Sequence, residues 1–102
     1  MLILQYDSYS RFNSISDIKI YLYDIKMITS CQIRAARALI NWSARELAEK
    51  SKVGVATVRR MELADGIPSS NAQTLDLIIK TLEKAGIEFI GSPDDKPGVR
   101  LK

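Results

Sequence analysis

A chain of 102 residues that is 46% hydrophobic supports one domain around one compact core, and a net charge of +3 is too small to declare a partner. With no histidine and one cysteine there is no zinc ligand set, no Ser-His or Cys-His nucleophile pair and no imidazole general base, so an enzyme is not expected. The lone Cys31 cannot close an intramolecular disulfide and is expected as a small buried or semi-buried residue in a reducing cytoplasm.

Residues 1–26 form the first segment. Its runs LILQY and IKIYLYDI are rich in β-branched and aromatic residues without clean alternation, and Arg11, Lys19 and Lys26 balance Asp7, Asp17 and Asp24. Lys19, Asp24 and Lys26 interrupt the apolar runs, which speaks against a signal peptide or a membrane span. Two readings stand: translation starting at Met27, which is preferred, or an extra strand pair or partner-binding arm.

From Thr29 to Asn41 the period becomes helical, with Thr29 and Gln32 spaced as a capping box and Ile33, Ala36 and Ile40 on one face. Trp42, at the join to the next segment, is expected as a core anchor because its ring would otherwise lie exposed beside an apolar helix. Ser43 and Glu46 make a second capping box, and Leu47 and Ala48 give a helix over 43–50 its buried side. The small Ala48 allows a second helix, over 54–62, to cross closely and steeply. In that helix Val58 and Met61 lie on one face, while Val55, Ala56, Thr57, Arg59 and Arg60 lie on the other. Between Ser43 and Glu62, Arg45, Lys50, Lys52, Arg59 and Arg60 outnumber Glu46, Glu49 and Glu62.

The stretch LADGIPSSNAQ that follows is rich in turn formers. A helix over 74–85 then places Leu75, Ile78, Ile79 and Leu82 on one stripe, with Gly86 as its stop and with Lys80, Glu83 and Lys84 read as a solvated face. The chain closes with short β-like runs, 87–90 and 99–101, around GSPDDKPG, read as a hairpin that must pack on the last helix or pair with a second copy. Asp94 and Asp95 are expected simply to solvate that loop.

The segment 43–62 resembles the Cro/cI-type helix-turn-helix of phage repressors and the wider XRE family. Leu47, Ala48, Val53, Thr57, Val58, Met61 and Glu62 match the family pattern, and 29–41 looks like its first helix. Three positions depart from it. Lys52 stands where a left-handed glycine is usual, at a strain on the order of 1 kcal/mol. Gly54 replaces a serine cap, at a cost of only a few tenths of a kcal/mol, and Ala44 replaces a glutamine that can touch DNA.

The resemblance implies a mainly α, compact four-helix lambda-repressor-like domain over 27–86, followed by a C-terminal β-hairpin over 87–102 and preceded by the extension over 1–26. It implies that Arg37 pairs with Glu62, a pair whose disruption in a buried setting costs roughly 3 to 5 kcal/mol. It also implies a transcriptional regulator, in the first instance a repressor, that binds double-stranded DNA as a homodimer on a palindromic operator without a cofactor. Helix 43–50, through Ala44 and Arg45, would cross the backbone, and the DNA-binding residues Lys52, Gly54, Val55, Ala56, Thr57, Arg59 and Arg60 would follow it into the major groove. Two alternatives remain: an antitoxin that holds a toxin protein and represses its own operon, or a protein-interaction module that keeps the fold without binding DNA.

Overall fold

The computed structural model describes residues 27–102, and both readings of residues 1–26 lie outside the described residues. Four helices and a hairpin follow in order: α1 Ser30–Ile40, α2 Ala44–Ser51, α3 Val55–Leu63, α4 Ala72–Lys84, β1 Ile87–Ser92 and β2 Asp95–Leu101.

Local chemistry sets most of these boundaries. Thr29 Oγ1 accepts from the Gln32 N–H at 3.1 Å while Gln32 Oε1 accepts from the Thr29 N–H at 2.8 Å, which closes the first capping box. Ser43 and Glu46 repeat the arrangement at 3.0 and 2.7 Å. α1 stops at Asn41 and α2 at Lys52, both left-handed, with φ of 60° and 62°. Asparagine tolerates that region, whereas lysine enters it at the cost a glycine would avoid. α4 begins two residues before the expected 74 because Asn71 Oδ1 accepts from the Thr74 N–H at 2.7 Å, so a cap sits inside what reads as a loop.

The stripes converge on one core. Ile33 and Ala36 of α1, Leu47 of α2, Val58 and Met61 of α3, and Ile78 and Leu82 of α4 are buried together with Ile28 and Ile87. Ile40 and Trp42 are half-buried against this core. Cys31 corrects the expectation made for it: it is exposed, because the Thr29 cap sets a helical phase in which Gln32, Ile33 and Ala36 turn inward and residue 31 turns out.

The strands are longer than the short runs expected and absorb most of the GSPDDKPG loop. Ile87 lies opposite Leu101, Phe89 opposite Val99 and Ile90 opposite Gly98; the register then slips before Ser92 meets Asp95. The slip is a bulge built on Gly91, with φ of 75°, where an added Cβ would lie 2.1 Å from the Lys96 carbonyl oxygen. The hairpin is no appendage: Ile87 is fully buried, and Phe89 and Val99 pack against the core. The Gln32 amide fastens it further, donating to the carbonyls of Ile90 at 3.2 Å and Gly98 at 2.9 Å.

Candidate nucleic-acid interface

α2 and α3 are joined by Lys52, Val53 and Gly54. Val53 half-buries itself against the core and donates its N–H to the Ala48 carbonyl at 3.1 Å, so the turn is short and anchored. Ala48 is 5% exposed within the core, and its small side chain suits a close approach of α2 and α3, which are in contact.

Three contacts hold α3. Arg37 of α1 grips Glu62 with both arms of its guanidinium, Nε donating to Oε2 at 2.6 Å and Nη2 to Oε1 at 2.7 Å. Its remaining nitrogen, Nη1, donates to the Trp42 carbonyl at 2.9 Å, so one side chain ties α1, the α1–α2 join and the last turn of α3. The Glu62 side chain is 8% exposed and that of Arg37 21%. The hydrogen bonds to Glu62 raise the Arg37 pKa above its ordinary value, outweighing desolvation. At the first turn of α1, the buried Ser30 hydroxyl donates to the Met61 carbonyl at 2.6 Å, and its N–H donates to the Gly66 carbonyl at 2.8 Å. The Met61 carbonyl lies in the final turn of α3, where intrahelical donors run out, so Ser30 satisfies it from another helix.

Held this way, α3 buries Val58, Met61 and Glu62 and exposes Ala56, Arg59, Arg60 and Leu63. These four recur at i, i+3, i+4 and i+7, a single stripe along the helix. Arg59 and Arg60 make no hydrogen bond or ion pair with another described residue. Arg45 is exposed in the first turn of α2, and Lys52 and Gly54 are exposed at the turn. The remaining sequence candidates are less free: Ala44 and Val55 are half-buried against the core, and Thr57 is half-buried. Gly54 opens α3 with φ of −60° and no side-chain cap, and an added Cβ would meet nothing nearer than Thr57 Oγ1 at 3.9 Å.

Sequence reasoning did not foresee the Ser30 and Gln32 contacts. Their partners lie 31 to 66 residues away and are backbone carbonyls, which leave no signature in residue identity. A small hydroxyl and an amide on the inward side of a capping box were the available hint.

Among the described residues no group of His, Cys, Asp or Glu could hold a metal ion, and no helix is long and apolar enough to cross a membrane. A family model described as helix-turn-helix matches residues 33–86. Comparison with curated proteins gave no match. The matched span runs from Ile33 within α1 to just past the end of α4, and it includes the short turn between α2 and α3 and the exposed α3 stripe. The chain belongs to the Cro/cI-type (XRE) helix-turn-helix family, a non-catalytic DNA-binding module of transcription regulation.

Proposed function

We propose that the protein is a sequence-specific repressor that reads double-stranded DNA through α3 and acts as a homodimer on a palindromic operator. The observation that carries this reading is the stripe of Ala56, Arg59 and Arg60, unpaired among the described residues, on a helix locked from behind by Arg37 and Ser30. Two neighbouring guanidiniums without carboxylate partners among the described residues keep their bidentate donors for guanine and phosphate, and the methyl-sized Ala56 lets the backbone descend toward the base edges. Thr57, Gly54 and the exposed part of Val55 lie at the leading end of α3, where the family geometry meets bases. Arg45, Ala44 and Lys52 flank it toward the sugar-phosphate backbone. One such unit reads few base pairs, and two on a palindrome, with half-sites about 34 Å apart, give the usual discrimination.

Selection of bound duplexes from a random library tests the reading. The full chain should yield a palindromic motif; Arg59→Ala or Arg60→Ala should relax defined positions of it, at roughly 1 to 3 kcal/mol for a lost bidentate base contact. An arginine that touches only phosphate should instead weaken all sequences alike and flatten the salt dependence by about 0.9 in log–log slope. Recovery of no motif at moderate salt would refute sequence-specific reading.

A further inference from the structure

Four lysines, two from the C-terminal end of α2 and its cap and two from α4, meet across one groove. The groove, of about 540 Å³, runs between the C-terminal end of α2 and α4, with Lys50 and Lys52 on one wall and Lys80 and Lys84 on the other. Leu77, Lys80, Thr81 and Lys84 follow at i, i+3, i+4 and i+7, so a single face of α4 lines it. Read one helix at a time, these charges are ordinary: Lys50 and Lys84 lie in last turns and Lys52 at a C-cap, where cations complement the helix dipole. Only the packing of α2 on α4 brings them together.

The convergence leaves a local excess of positive charge, because Glu83 is the one carboxylate among the lining residues described. Lys80 is paired with Asp76 at 3.2 Å, but both side chains are more than half exposed, and such a pair consumes little of the lysine's field. The Lys50 ammonium lies 5.2 Å from the centre of the Trp42 ring, a contact that leaves its charge in place. Among these cations Leu77 is 41% exposed, an apolar side chain that no described residue covers fully. A groove with cationic walls and an apolar patch matches a ligand carrying carboxylates around an apolar side chain. A sugar-phosphate backbone would satisfy the lysines and leave Leu77 wet.

We propose that this groove docks an acidic segment of a partner protein, with carboxylates on the lysine pairs and an apolar side chain on Leu77. No lining residue belongs to α3, and Lys52 is the one lining residue shared with the proposed DNA-facing set, so the test rests on Lys80, Lys84 and Leu77, which lie outside that set. The test follows backbone amides of the isotope-labelled full chain by NMR during titration with a synthetic amphipathic peptide of glutamate and leucine at helical spacing. Saturable shifts confined to the end of α2 and to α4 are expected. Affinity should fall about tenfold in the double variant Lys80→Gln, Lys84→Gln, which keeps helix-forming side chains on an exposed face. Leu77→Gln should weaken binding in its own right. Absence of saturation, or unchanged affinity in the double variant, overturns the proposal. So does equal binding of a peptide with serine in place of leucine, which would reduce the groove to unspecific charge. A random-sequence duplex that shifts the same α4 amides and displaces the peptide would assign the groove to nucleic acid instead.

Discussion

Arg37 does three jobs with one side chain, and its removal is correspondingly costly. In Arg37→Met the carboxylate of Glu62 stays largely buried without its partner, and the Trp42 carbonyl loses its donor. Because the Arg37 side chain retains 21% exposure, the loss should be about 2 to 3 kcal/mol, just under that of a fully buried pair; urea unfolding measures it. The pKa of Arg37 is raised, so its contribution is complete below the ordinary arginine value and lost only as pH rises through the higher folded value. Arg37 ionisation therefore adds no pH dependence to stability near neutrality. Gly54 offers the opposite case. Its φ of −60° suits any residue and its Cβ position is open, so Gly54→Ser should place a hydroxyl over the first turn of α3. A gain of a few tenths of a kcal/mol in thermal unfolding is expected, and a loss would show that the site has less room than its geometry indicates.

At the scale of elements, the first turn of α1 is the hub. Ser30 meets the end of α3 and the loop that follows it, while Gln32 meets both strands of the hairpin. The hairpin itself depends on Gly91, whose positive φ and 2.1 Å approach of a would-be Cβ to the Lys96 carbonyl allow no side chain. Gly91→Ala should cost about 2 kcal/mol or more and shift hairpin amides without moving those of α2 and α3. Amide shifts spread through all four helices would mean instead that the bulge is needed to close the core. The capping boxes at Thr29 and Ser43 and the apolar stripes of all four helices were legible in residue order, because each depends on neighbours three or four positions away. The Asn71 cap and the true strand lengths were not legible. A polar residue inside a Pro/Gly/Ser-rich run looks like more loop, and a bulge lets strands run through residues that otherwise read as turn.

For the whole molecule, the proposed homodimer needs a surface, and we propose the hairpin edge for it. β2 is an edge strand carrying Leu101 at 52% exposure. Truncation of residues 87–102 is the wrong probe, since Ile87 is fully buried and its loss would open the core. Leu101→Asp leaves the core intact and should convert a dimer to a monomer in sedimentation analysis. An unchanged dimer would move the interface elsewhere.

The four helices, the caps at Thr29 and Ser43 and the inward face of each helix were determined by the sequence alone, as was the family match of the two-helix segment, because they rest on local spacing and on the size and polarity of single residues. The geometry among the elements was decided only by the tertiary structure. Packing set Arg37 against a carboxylate 25 residues away and gave Ser30 and Gln32 backbone partners. It also brought lysines 30 residues apart to one groove. Those contacts are set by the close packing of the buried side chains between the elements, and no periodicity along the chain encodes them.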